Sequence, residues 1–258
     1  MHRKGLKQLI YGFILLLILS LIAWAFYLMF LQSAPTCSDG KRNQDEVEID
    51  CGGPSCSECE LNRVQAIRTF PALALSSPDS KLSSLLIQLQ NPNANYGANP
   101  LTYTVNLYGA DGGVIFTNTT DTFIYPSETT YRIEPNIPVV GGLVSRSEII
   151  IRDQQWVRRA DFAALKTQIR DVRSEYDDAK KQTIVTGVLK NDNPFIVSKA
   201  VVGVILYGDT GSLAGVSKTL IDGLQPFEER PFSVIVPVTG ISASSSIAEP
   251  KVFIEAKR

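Results

Sequence analysis

The sequence has 258 residues, 25 basic against 26 acidic side chains, and a single histidine, His2. Charge this close to balance offers no basic face for nucleic acid. Without histidine past the second residue the chain lacks the commonest general base and metal ligand, which argues against Ser-His and Cys-His hydrolases and against zinc enzymes while leaving carboxylate-only catalysis open.

In chain order, residues 1–8 form a short basic stub and residues 9–31, "LIYGFILLLILSLIAWAFYLMFL", an uncharged stretch. As a helix it would extend roughly 34 Å, enough to cross a hydrocarbon core of about 30 Å. Arg3, Lys4 and Lys7 precede it and no basic residue follows until Lys41. The positive-inside rule therefore predicts a single-pass anchor with its N-terminus in the cytoplasm and residues 33–258 outside. Trp24, Tyr27 and Phe30 gather toward the outer end, as in an interfacial aromatic belt. A cleaved signal peptide is the competing reading, but its apolar core is usually about 7 to 15 residues.

Residues 33–60 form a collar that holds all four cysteines, Cys37, Cys51, Cys56 and Cys59. On the outside of a membrane thiols oxidise, and a short segment with little apolar surface to bury relies on crosslinks. Two disulfides are expected, and four cysteines allow three pairings among which the sequence does not choose. A four-thiolate zinc site is the alternative, although Cys37 stands apart from any paired knuckle. Asp39, Asn43, Glu46, Glu48 and Asp50 place oxygen ligands three to four residues apart, the chemistry of a calcium site without the register of an EF-hand loop. Asp39, Asn43, Glu46 and Asp50 are the candidate calcium ligands, and a solvated acidic loop is the plainer reading.

Cys37, Asp39, Gly40, Asn43, Glu46, Ile49, Asp50, Cys51, Gly52, Gly53, Cys56 and Cys59 together resemble a short motif of secreted and surface-anchored proteins, C-x-D-G-x-x-N-x-x-E-x-x-[IV]-D-C-G-G-x-x-C-x-x-C. The resemblance implies an extracytoplasmic, non-catalytic module and assigns no activity.

Past Glu60 the sequence turns to short β-branched and aromatic runs separated by Asn, Pro, Gly, Asp and Ser, the pattern of an all-β sandwich. Strands are predicted in "SSLLIQLQ" (83–90), "LTYTVNLY" (101–108), "SEIIIRD" (147–153), "IVTGVLKN" (184–191), "AVVGVILY" (200–207) and "PKVFIEA" (250–256). These events repeat. Leu107 and Tyr108 lie 99 residues before Leu206 and Tyr207, and Asn91 and Pro126 lie 100 before Asn191 and Pro226. A period near 100 residues is one immunoglobulin-sized unit, so two tandem β-sandwiches are expected, at 61–155 and 156–258.

Residues 162–176 resist this scheme. Phe162, Leu165, Ile169, Val172 and Tyr176 recur at helical spacing, yet the repeat demands a first strand here, as "VQAIRTF" (64–70) supplies one to the first half. A strand over about 165–174 is expected, with a short bridging helix as the alternative.

Gly187, Asn191, Val204, Leu206, Tyr207, Asp209, Gly211, Pro226 and Phe232 make the second half similar to the FxLYD domain family. Val204, Gly208 and Phe227 depart from that pattern. Asn91, Val105, Leu107, Tyr108, Asp111, Gly113 and Pro126 form a weaker counterpart in the first half. The resemblance implies immunoglobulin-like sandwiches with no catalytic role.

Three further features carry less. Asn118-Thr119-Thr120 is a glycosylation sequon. Tyr96, Tyr125 and Phe195 fall in predicted loops, where an exposed aromatic could anchor a partner. The cations of 166–181 are matched by acids, as on a solvated face.

The expectation is thus a membrane-anchored, non-catalytic protein with no cofactor beyond possible calcium, serving as a display or protein-interaction stalk with an unidentified protein or envelope partner. An accessory subunit of an envelope assembly is the second reading and a carboxylate enzyme the third.

Overall fold

The computed structural model of the protein describes residues 2–27, 36–43, 45–76, 82–139, 144–209, 211–239 and 248–257, with side chains from residue 11 onward. The chain divides into two units, Met1–Arg63 and Val64–Arg258.

In the first unit, α1 spans His2–Phe26. Its described side chains carry no charge and point outward on every face, from Tyr11 at 68% exposure to Trp24 at 65%. Among the described residues no helix is long and apolar enough to cross a membrane. The side chains of Leu9 and Ile10, residues 28–31 of the expected anchor and residues 33–35 of the collar lie outside the described residues. Two disulfides, Cys37–Cys56 and Cys51–Cys59, close the collar, followed by a 3-10 turn at Cys59–Arg63.

The second unit is all β. Its first half comprises β1 (Arg68–Thr69), β2 (Leu73–Ser76), β3 (Leu82–Gln90), β4 (Tyr96–Tyr108), β5 (Val114–Ile124), β6 (Thr129–Pro138) and β7 (Arg146–Arg158). The second comprises β8 (Thr167–Asp177), β9 (Gln182–Asn191), β10 (Val197–Tyr207), β11 (Leu213–Leu224), β12 (Glu229–Pro237) and β13 (Lys251–Lys257). Each half has two antiparallel sheets: β6, β3 and the β1–β2 edge with β5-β4-β7, then β12-β9-β8 with β11-β10-β13. The broken edge β1–β2, interrupted around Pro71, occupies the place that β8 fills in the second half.

Each half is sandwich-like and encloses its own core. Leu85, Ile87, Leu89, Leu101, Tyr103, Val105 and Leu107 fill the first; Val185, Leu189, Val202, Val204, Leu206, Phe232 and Val234 fill the second. Along β12, Phe232, Val234 and Val236 point inward while Ile235 stands 54% exposed, the period-2 alternation of a half-buried strand. β3 breaks that rule at Leu85, Leu86 and Ile87, all buried, because Leu86 faces a second apolar cluster with Ile133, Ile205 and Val216. That cluster joins the halves.

One strand differs from its sequence reading, and the strand expected over about 165–174 is present at Thr167–Asp177. β4 begins at Tyr96, ahead of the expected start at 101, because Pro100 falls where the register of β4 shifts between Ala98 and Leu101, and proline is tolerated at a bulge. Residues 167–177 are the strand β8. It carries a bulge between Arg170 and Arg173, with Asp171 left-handed at φ 55. The bulge shifts the alternation, so Ile169 packs on the core while Val172 and Tyr176 are exposed.

Candidate functional site

In the collar the backbone turns tightly enough to need left-handed residues: Asp50 at φ 59, Gly52 at φ 78 and Gly53 at φ 74. A Cβ on Gly52 would lie 2.6 Å from the Val47 side chain, and one on Gly53 would lie 2.4 Å from the Asp45 carbonyl oxygen. The D-C-G-G run is therefore set by close chain approach.

The candidate calcium ligands share one hydrogen-bond network. The Asp50 carboxylate accepts from the backbone N–H groups of Asp39 (2.9 Å) and Gly40 (2.9 Å). The Asp39 carboxylate accepts from Asn43 Nδ2 (2.9 Å) and Lys41 N–H (2.9 Å). These bonds, Asn43 first, hold the Asp39 carboxyl below its usual value. Glu46, 3% exposed, accepts from the N–H groups of Asn43 (3.0 Å) and Asp50 (3.2 Å). Glu48 turns away to pair with Arg63 at 3.1 Å. The carboxylates thus serve as acceptors for turn N–H groups, work that a cation would compete with. Two groupings, Cys37-Glu46-Cys56 and Glu48-Cys51-Cys59, have metal-ligand proximity. In each the two sulfurs form one disulfide, and it is the thiolate that binds metal, so each retains a single carboxylate.

The second cluster of polar groups lies along the join between the halves. Arg132, 5% exposed, pairs with Glu255 at 3.2 Å and donates to Thr122 Oγ1 (2.7 Å), Thr130 Oγ1 (2.7 Å) and the Phe123 carbonyl (2.6 Å). The Tyr125 hydroxyl donates to the Ala256 carbonyl at 3.0 Å, and Lys257 Nζ to Asn99 Oδ1 at 2.8 Å. Burial pushes the Tyr125 hydroxyl up to about 12 and the Tyr103 hydroxyl upward too. Tyr103, Arg132, Glu134, Lys218 and Glu255 line a cleft of about 400 Å³ here. With its guanidinium nitrogens engaged by partners within the chain, Arg132 acts as a clasp between the halves and is not free for a ligand.

The residues behind the FxLYD resemblance are fold positions. Asn191 Nδ2 donates to the carbonyls of Phe195 (2.9 Å), Leu224 (3.2 Å) and Gln225 (2.8 Å). Asn91 does the same for Tyr96 (2.7 Å) and Tyr125 (3.0 Å). Gly187 pairs with Phe232 across β9 and β12, and a Cβ there would meet the Phe232 ring at 2.7 Å. Val105, Leu107, Val204 and Leu206 are core residues. Of the aromatics expected in loops, Tyr96 lies buried on β4 and Tyr125 and Phe195 are half-buried, so ordinary packing accounts for them. Asn118 is exposed on β5. Arg132 and Glu255 went unnoticed in the sequence; the available signal was a lone arginine inside the β run "TTYRIE".

No family model matches the chain, and no curated protein does. Among solved structures the chain is similar to a calcium-binding mutant of Bacteroides uniformis beta-glucuronidase 2, at 15% identity over 70% of this chain and 23% of that one, with a TM-score of 0.19. The chain spans under a quarter of that enzyme's length, and likeness at this level carries no argument about activity.

Proposed function

We propose that the protein is a membrane-anchored, extracytoplasmic and non-catalytic stalk that presents two immunoglobulin-like, FxLYD-type sandwiches for display or protein interaction. The observation that carries this reading is the helix α1. Phe13, Leu16, Ile22 and Trp24 stand 69, 68, 59 and 65% exposed on a helix whose residues described with side chains, from Tyr11 onward, present no polar face, and an all-round apolar helix is the kind that lipid solvates. The crosslinked collar supports it, since disulfides persist in oxidising compartments. The polar cluster at the join supports a non-catalytic role, because Arg132 and Glu255 satisfy each other.

The test is alkaline extraction of cell membranes with protease added from outside. Retention in the membrane pellet, with residues 33–258 cleaved in intact cells, is the expected outcome. Release by alkali, or protection of those residues, would overturn it. In-cell crosslinking with mass spectrometry separates the stalk from an accessory subunit: repeated capture of one membrane complex would favour the subunit.

A further inference from the structure

Asn118-Thr119-Thr120 is the one Asn-x-Ser/Thr triplet in the sequence, and its asparagine differs from the others of the double sandwich. Asn91, Asn93, Asn191 and Asn193 hold turns by donating to main-chain carbonyls. Asn99 and Asn106 accept from Lys257 and Thr117. The Asn118 side chain bonds no main-chain group among the described residues. It stands exposed on β5, and its Nδ2 donates to Thr120 Oγ1 at 3.2 Å. Side chains two apart on a strand share a face, so the extended chain holds the amide and the sequon hydroxyl side by side.

The place of Asn118 in the sheet is a second, independent observation. β5 pairs only with β4, so its other edge is unpaired. Residues 116–120 run in unbroken register against β4, from Phe116 opposite Leu107 to Thr120 opposite Tyr103. An unpaired edge is a template for another strand, and natural sheets blunt it with charges, prolines, bulges or a cover. Other edges of the double sandwich are blunted in this way: β8 by Arg170, Asp171, Arg173 and a bulge, β12 by Pro231 and Pro237. The edge of β11, which follows the matching hairpin in the second half, has a cover, because Val216 packs with Leu86 and Ile133 of the first half. Residues 116–120, "FTNTT", have neither charge nor proline. Thr117 and Thr119 bond across to Asn106 (2.8 Å) and Thr104 (2.9 Å) of β4, so this stretch presents hydroxyls and amides where β11 presents an apolar seat. Asn118 lies at its centre.

We propose that Asn118 is the acceptor of an N-linked glycan that covers the free edge of β5. The donor is an oligosaccharide carried on a polyprenyl phosphate. The bond between the anomeric carbon and the phosphate oxygen breaks, a bond from that carbon to Asn118 Nδ2 forms, and the amide proton is given up as the lipid phosphate departs. The proposal rests on the extracytoplasmic reading of residues 33–258, because such carriers present their glycans on the side of the membrane away from the cytoplasm.

The test takes full-length protein from the membranes of the cells that make it and reads residue 118 by mass spectrometry of proteolytic fragments. A series of sugar masses on Asn118 is expected, lost in Asn118→Gln and in Thr120→Val and kept in Thr120→Ser, which retains the hydroxyl. A bare Asn118, or sugar on Thr119 or Thr120 in its place, would overturn the acceptor. Chemical crosslinking of the same preparations reads the cover: Asn118→Gln is expected to capture itself several-fold more than the glycosylated parent, and equal capture would overturn the covering role. Protease added to intact cells separates this proposal from the reading beneath it. If residues 33–258 are cleaved while Asn118 is bare, only the glycan fails; if they are protected, the extracytoplasmic location fails and the glycan with it.

Discussion

Glu128 and Glu228 hold equivalent turns, each accepting a backbone N–H, from Tyr125 at 2.7 Å and from Gln225 at 2.6 Å. Their acidities move in opposite directions. Burial, the largest influence, raises the Glu128 carboxyl above its usual value. The Gln225 N–H and then Arg230 lower that of half-buried Glu228. A group with a raised folded pKa favours folding at low pH and loses that contribution as pH rises through the folded value; a lowered one contributes above its unfolded value and loses it as pH falls through the folded value. Glu128→Gln should therefore leave the unit at least as stable as the parent at neutral pH, relative to acid. Glu228→Gln should lower stability at neutral pH, with the difference closing as pH falls below about 4. Melting temperatures across pH 3–8 would check both signs.

At the scale of elements, glycine positions and crosslinks make distinct predictions. A Cβ on Gly203 of β10 would sit 2.2 Å from the Phe253 ring. Overpacking of this kind costs about 1 to 3 kcal/mol, so Gly203→Ala should lower the midpoint of denaturant unfolding, and Phe253→Leu should recover part of the loss. The collar has no described apolar core, and removal of a native disulfide from a small module typically costs about 2 to 5 kcal/mol. Cys51→Ser should open residues 37–59 to protease while the melting of Val64–Arg258 is unchanged. A chelator should add nothing to that pattern, since turn N–H groups already occupy the Asp39, Glu46 and Asp50 carboxylates; loosening by chelation alone would restore calcium as the ligand of this loop.

For the molecule as a whole, the join between the halves decides whether Val64–Arg258 behaves as one stiff body or two beads. The small apolar cluster of Leu86, Ile133, Ile205 and Val216 is reinforced by buried Arg132, which pairs with half-buried Glu255. Removing one partner of a buried pair costs about 3 to 5 kcal/mol because the other charge is left uncompensated. Arg132→Ala should split a single calorimetric transition into two, one for each half. A single transition at an unshifted temperature would show that the apolar cluster alone couples them.

The sequence by itself determined the all-β character of residues 64–258, the two-fold repeat and the presence of a crosslinked collar. Each follows from local signals: alternation along strands, turn residues at fixed offsets, and cysteines crowded into one short stretch. Phe227 was visible as a departure from the family pattern, but not as an exposed, left-handed residue. Only the tertiary structure decided the pairing Cys37–Cys56 and Cys51–Cys59, the strand at 167–177, and the clasp of Arg132 on Glu255. Disulfide pairing depends on which chain segments approach, and the apolar spacing of 162–176 mimics a helix in one dimension although Val172 and Tyr176 are exposed on a strand. Arg132 and Glu255 lie more than a hundred residues apart, and no local pattern brings such residues together; the packing of one finished sandwich on the other does.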